Sequence, residues 1–394
     1  MRTITNINRK WAFSKESTSV PGSMPQNWCF VSLPHTWNAL DGQDGGGDFY
    51  RGTCYYAKEI DTYEDIPTAD KHYLEIRGAN SSADVFVGGE KLAHHDGGYS
   101  TWRVDITKYI TDETVIDIDV DNAPNDRVYP QMADFTFYGG LYRNVNLIGV
   151  ASTHFDLDYY GAPGIKVTPE IAGNDANVEI EVYTKALADG DVIRYTVFDK
   201  EGNVVATADS ADNKANFKID NVTLWNGRKN PYLYTATAEM IRGGEVIDNV
   251  KTRFGCRAFK IDPERGFILN GEEYPLRGVS RHQDRLGIGN ALLPEHHKED
   301  IDLILEVGAT TIRLAHYQHD QYFYDLCDET GLVIWAEIPY ISKHMPGGRE
   351  NTVNQMKELI AQNYNHPSIF VWGLSNEITM KDEWKVGRII ARPY

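Results

Sequence analysis

The sequence has few cysteines, four in 394 residues. Cys29, Cys54, Cys256 and Cys327 lie far apart, with no C-x-x-C pair and no metal-ligand spacing. That excludes a disulfide framework and a thiolate metal site, and predicts four reduced, mostly buried thiols. No run of about 18 apolar residues exists, which excludes a membrane-spanning helix. Met1-Arg2-Thr3-Ile4-Thr5-Asn6-Ile7-Asn8 has no apolar signal core. Together these lead to the expectation of a cytoplasmic protein. Net positive charge is lacking too: 39 basic residues against 57 acidic ones give −18. Nucleic acid and anionic membranes, which need a basic surface, are therefore excluded as partners.

What is present is ordinary globular material, with 41% hydrophobic and 24% charged residues. The length predicts two or three domains. Tyrosine is abundant, at 23 residues, and Trp adds 8; aromatic faces stack on sugar C–H surfaces, although all-β domains are aromatic-rich in any case. Residues 1–150 read as a β-sandwich of jelly-roll type, from short alternating runs such as Tyr73–Arg77, Ala83–Val87 and Thr114–Val120. The pairs Gly88-Gly89, Gly97-Gly98 and Gly139-Gly140 read as turns. Residues 151–257 repeat the pattern in about a hundred residues, with runs such as Asn177–Val182, Ile193–Phe198 and Leu233–Ala238, and read as an immunoglobulin-like sandwich.

From residue 258 to 394 strands and helices alternate. Pro275–Ser280, Thr310–Ala315, Leu332–Ile338 and Ile369–Leu374 read as strands. Pro294–Val307, Asp320–Thr330 and Thr352–Tyr364 read as the helices between them, and Trp384–Tyr394 as the start of a fourth. This is βαβ grammar, here the first half of a (β/α)8 barrel. The expected fold is thus multidomain β plus α/β. Four strands leave two open edges, and a homo-oligomer covering them is the expected partner.

Catalytic groups of such a barrel sit at the carboxyl ends of its strands. The four strand ends carry Arg281-His282-Gln283-Asp284, Arg313-Leu314-Ala315-His316-Tyr317, Trp335-Ala336-Glu337 and Trp372-Gly373-Leu374-Ser375-Asn376-Glu377. Four consecutive strands deliver ionisable or aromatic groups to one rim. Each has a structural reading as well. A histidine after a strand can cap a helix, Glu337 can be an ion-pair partner inside the rim, and Asn376-Glu377 can cap the next helix. Asn365-His366-Pro367-Ser368 is first of all a turn that launches a strand.

In these residues the chain resembles glycoside hydrolase family 2, and within it the β-galactosidases. The first domain contributes Leu33-Pro34-His35-Thr36-Trp37-Asn38, Tyr50-Arg51-Gly52 and Gly139-Gly140-Leu141-Tyr142-Arg143. The barrel contributes Leu276–His282, Ile312–Tyr317 and the Asn-His-Pro-Ser…Trp…Asn-Glu signature. The resemblance implies a retaining, exo-acting hydrolysis of terminal β-D-galactosides, with β-glucuronidase the runner-up. Glu377 would be the general acid/base and Asn376 the amide holding the sugar 2-OH. His282 and His316 would hydrogen-bond the sugar, Asp134 would be lent to the pocket by the first domain, and Trp372 and Glu337 would complete the substrate contacts. No cofactor is implied. Some members hold magnesium through a Glu-x-His segment after strand three; Glu337–His344 lacks that spacing, so no such metal site is expected. The family's nucleophile lies at the end of the seventh barrel strand, which this chain does not contain, and Glu350, Glu358 and Glu383 fall on loops or helices. Weak or absent hydrolysis by this chain alone is the expectation. A galactoside-binding module or an assembly fragment are the non-catalytic alternatives.

Overall fold

The computed structural model describes residues 1–378 except 44–47, 62–64, 67 and 112. Glu383 and the expected helix over Trp384–Tyr394 lie outside the described residues.

The first sandwich packs a four-stranded sheet on a six-stranded one, and the longest pairing in the larger sheet runs between Thr53–Glu59 and Val115–Asp121. Between the sheets lies an aromatic and aliphatic core that includes Trp11, Trp37, Tyr56, Leu74 and Val120. The pair Gly139-Gly140 is not a turn. Gly140 bridges Asn80, and the Trp37 ring lies so close to Gly139 that a Cβ there would sit 1.9 Å from Cζ2. Glycine is needed here for close approach rather than for chain reversal. Leu33–Asn38 turns out to be the staple of this loop: Thr36 Oγ1 donates to the Gly139 carbonyl, and Asn38 Oδ1 accepts from Gly139 N.

The second sandwich has a three-stranded and a four-stranded sheet. Its strand over Lys214–Ile219 alternates exposed and buried residue by residue, as a half-buried strand must. Cys54, Cys256 and Cys327 are buried thiols and Cys29 is exposed; none is bonded to another.

After a short three-stranded ribbon come four parallel strands in sequence order. They are β1 (Gly278–Arg281), β2 (Thr311–Leu314), β3 (Val333–Glu337) and β4 (Ile369–Gly373). Three helices connect them: α1 (Pro294–Glu306), α2 (Gln321–Thr330) and α3 (Arg349–Asn363). The ends of α2 follow from its sequence. Asp320 accepts from Tyr322 N as N-cap, and Gly331 closes the helix at φ 75°. Ile312, Leu314, Ile334 and Ala336 face the helices, where they meet Phe323, Leu326 and Leu359.

The barrel is fastened to both sandwiches. Arg143, from the first, donates to the carbonyls of Tyr99 (2.5 Å) and Gln318 (2.8 Å). Gln43 reaches the loop after β1, donating to the Arg285 carbonyl and accepting from Gly287 N, both at 2.7 Å. These contacts bring a first-domain loop to the carboxyl end of the parallel strands. No helix among the described residues is long and apolar enough to cross a membrane.

Candidate active site

Alternation along each parallel strand sends every second side chain inward. On β2 the inward residue near the end is Arg313. Its Nε donates to Glu337 Oε2 at 3.0 Å and its Nη2 to Glu337 Oε1 at 2.9 Å. The same Nη2 donates to Asn376 Oδ1 at 2.7 Å. His316 Nδ1 lies 2.7 Å from Glu337 Oε1. The ends of β2, β3 and β4 are thus joined through the Arg313–Glu337 pair. Burial alone would raise the Glu337 carboxyl, but the hydrogen bonds from His316 and Arg313 outweigh it and hold it below the usual carboxylate range.

This geometry assigns the remaining atoms. His316 donates through Nδ1–H to Glu337, so Nε2 is left to accept from a ligand hydroxyl, or to donate to it once the ring is protonated. Asn376 accepts through Oδ1, so its NH₂ group remains to donate. Its backbone is held from both sides: Asn376 N donates to the Tyr340 carbonyl (2.9 Å) and Ser342 N to the Asn376 carbonyl (3.0 Å). Gly373 makes room for the network, since a Cβ there would lie 2.4 Å from Trp335 Nε1 and 2.6 Å from Glu337 Cβ.

His282, at the end of β1, is half-buried, with its ring centroid 5.2 Å from that of His316. Its Nδ1 lies 3.4 Å from the Tyr317 hydroxyl. Burial, and then His316, lower its pKa, against the pull of Asp284, Asp134 and Glu337. Asp134 is exposed on the first-domain loop, and its neighbour Phe135 packs on His282. Glu377 is exposed, takes a left-handed φ of 51°, and has no hydrogen-bond or ion-pair partner among the described residues. A side chain without such ties is free to meet a ligand.

The structure therefore gathers His282, His316, Asn376 and Asp134 around one rim, with Glu377 following directly on Asn376. Two of the expected substrate contacts are placed differently from the histidines. Glu337 is 1% exposed and both its oxygens are engaged, so it organises the rim from beneath. Trp372 pairs beside Ala336 and packs on the apolar layer between sheet and helices, away from the histidines. The inward indole is Trp335, opposite Val371 and against Gly373. Arg281 also turns outward. Its guanidinium is buried over the Phe323 ring, donating to Asp300 (2.7 Å) and lying 3.1 Å from both His319 Nδ1 and His297 Nδ1.

Sequence reasoning placed Arg313 and Trp335 at the rim without giving either a role, and missed Phe135. Strand parity would have pointed the first two inward. Nothing local announces Phe135, because its partners lie on another domain.

Asp325, Asp328 and His366 bring potential metal-ligating atoms within 4.8 Å of one another, the one such described group. All are committed elsewhere. Arg253 holds Asp325 at 2.7 Å, while Asp328 bonds His366 (2.6 Å) and Ser368 (2.5 Å). Burial opposes the His366 charge, but Asp328 outweighs it and raises the imidazole. This is an internal ion pair that fixes the turn into β4.

Three family descriptions match the chain in order. "Glycosyl hydrolase 2 galactose-binding domain-like" covers residues 50–139, "Glycosyl hydrolases family 2" covers 162–257, and "Glycosyl hydrolases family 2, TIM barrel domain" covers 260–388. A β-glucuronidase of Bacteroides fragilis is 37% identical over 94% of this chain and 56% of the relative. A β-galactosidase of Thermoanaerobacter pseudethanolicus is 30% identical over 97% of this chain and 52% of the relative. The crystal structure of an FMN-binding β-glucuronidase from Faecalibacterium prausnitzii L2-6 superposes with a TM-score of 0.91 at 43% identity, covering 97% of this chain and 60% of that one. The chain spans about half the length of the curated relatives it matches.

Proposed function

The chain belongs to glycoside hydrolase family 2, and from that membership we propose that its barrel rim is the sugar-binding half of a retaining, exo-acting β-glycosidase pocket. The observation that carries this reading is the joined rim. Arg313 and Glu337 hold Asn376 and His316 so that an amide donor and an imidazole nitrogen face one place, with Glu377 beside them. Glu377 is the acid/base: it protonates the glycosidic oxygen as the aglycone leaves, then takes a proton from the attacking water. Asn376 and the two histidines hold sugar hydroxyls, and Asp134 reads the far side of the ring from the first domain.

Double displacement needs a second carboxylate as nucleophile, about 5–5.5 Å from the acid. The inward carboxylate of the described rim, Glu337, is tied to Arg313 and His316, so the nucleophile is not assigned among the described residues. The sequence favoured β-galactosides. The relatives weigh toward the glucuronide, at 37% and 43% identity against 30% for the galactosidase. We take terminal β-D-glucuronides as the preferred substrate and β-D-galactosides as the second.

The test is hydrolysis of nitrophenyl and alkyl β-D-glucuronides and β-D-galactosides, with Glu377→Gln beside the unaltered protein. Protonation matters most for a poor leaving group. The substitution should therefore lower the alkyl glycoside rate by about 10²–10⁴-fold and the nitrophenyl rate by less. Equal losses on both aglycones would remove Glu377 from the acid role. Faster turnover of galactoside than glucuronide would overturn the sugar assignment.

A further inference from the structure

Phe135 belongs to the first sandwich in sequence and to the barrel mouth in space. Its ring centroid lies 4.9 Å from His282, 5.9 Å from His316 and 5.5 Å from Tyr317. It lies nearly parallel to the His316 ring, at 28°. Phe137 backs it with an edge contact at 5.4 Å. We infer that Phe135 is a positioning residue: it clamps the His282–His316 pair at the barrel mouth and keeps water off their covered faces, so that the pair meets a sugar in one fixed arrangement. The inference rests on the reading of this rim as a sugar pocket.

The physical argument concerns the two imidazoles together. With centroids 5.2 Å apart, His316 opposes protonation of His282. An apolar ring lying over both strengthens that opposition by excluding water. The groups facing His282 otherwise pull toward the charged form: Asp134 on the first-domain loop, Asp284 on its own loop and Glu337 at the end of β3. His316 opposes it, while the Tyr317 hydroxyl sits at Nδ1. Without Phe135, water enters and the cost of desolvating the charged His282 ring falls. His282 then protonates at higher pH, and a charged, reoriented ring replaces a fixed neutral one. A purely structural Phe135 would lower stability on removal but leave the titration of His282 in the folded protein unchanged.

The experiment is a histidine-selective ¹³C NMR titration of the full 394-residue chain, with His282→Gln to assign the signal. Phe135→Ala should move the His282 midpoint upward, toward the ordinary histidine range. Phe135→Leu, which keeps apolar cover, should move it less. An unmoved midpoint in folded Phe135→Ala overturns the inference. Should that variant not fold, Phe135→Gln, which is larger than alanine but polar, decides in the same way. The readout needs no turnover. A chain that binds neither glucuronide nor galactoside yet shows the shift refutes the sugar-pocket reading and keeps the role of Phe135. Sugar binding with an unmoved midpoint does the reverse.

Discussion

Arg313 grips Glu337 with two parallel hydrogen bonds of 3.0 and 2.9 Å, and the same guanidinium holds Asn376. Removing one partner of a buried pair costs about 3–5 kcal/mol. The Arg313 side chain is 34% exposed, so solvent screens part of the loss. Glu337→Gln should therefore destabilise by about 2–3 kcal/mol in urea unfolding. It should also release His316 and Asn376, weakening sugar binding more than stability. Arg313→Lys should reproduce much of the binding loss, because an ammonium cannot make the bidentate contact. Unchanged saccharide affinity in both variants would show that the rim does not depend on this pair.

His297 gives the protein a defined acid sensitivity. Burial pushes its imidazole down to about 3, with Asp320 pulling the other way. The sign follows from proton uptake. Between the ordinary histidine value near 6.5 and about 3, the unfolded chain binds a proton that the folded one refuses. The stability tied to His297 is therefore full above pH 6.5 and falls as pH drops toward about 3. The expected loss is on the order of 2–4 kcal/mol. His35, lowered to about 4 by burial and Lys15, adds to it with the same sign. His297→Gln, whose amide oxygen can still accept from Arg281, should flatten the fall in urea midpoint between pH 7 and 4. An equally steep fall would place the acid sensitivity elsewhere.

Periodicity and turn chemistry made the architecture legible. Alternation with period two marked both sandwiches, and Asp320 and Gly331 announced the ends of α2. Parity along the strands was readable but unused, which is why Trp372 was expected in the pocket where Trp335 stands. Glu337 was correctly placed at the rim but given a ligand, because an inward carboxylate does not reveal in sequence whether a cation already holds it. The Asn365–Ser368 segment does two jobs: His366 and Ser368 brace Asp328, and Asn365 reaches the second sandwich. α3 hides most. Asn351, Gln355, Glu358 and Gln362, spaced four, three and four apart, form a polar stripe that pattern reading assigns to solvent. It is buried against the first sandwich.

That stripe is held together by hydrogen bonds, so an apolar replacement should fail despite its burial. Gln362 Nε2 donates to the carbonyls of Thr101 and Tyr160, both at 2.8 Å, and its Oε1 accepts from Thr101 N (3.0 Å) and Gln318 (2.8 Å). Leucine would bury the same volume and leave these partners unpaired. Each orphaned group costs about 1–3 kcal/mol, and some will find water. Gln362→Leu should lower stability by about 2–4 kcal/mol, read from denaturant unfolding. A neutral or stabilised variant would mean the stripe acts by shape alone.

Asn365 offers a sharper test, because its two side-chain ends can be separated. Oδ1 accepts from Val167 N at 2.8 Å, while Nδ2 donates to the Ile165 carbonyl at 2.9 Å and to Thr252 Oγ1 at 3.2 Å. The amide thus acts as one more strand residue along the Ile165–Ala172 edge. Asn365→Ala should cost about 1–3 kcal/mol and speed hydrogen exchange at Val167. Asn365→Asp keeps an acceptor for Val167 N but sets a carboxylate against the Ile165 carbonyl with no donor between them. It should therefore protect the Val167 amide better than alanine does, while destabilising at least as much at neutral pH and recovering as the pH falls and the acid regains a proton to donate. Slow exchange at Val167 in the alanine variant would show that the edge of the second sandwich is held without Asn365.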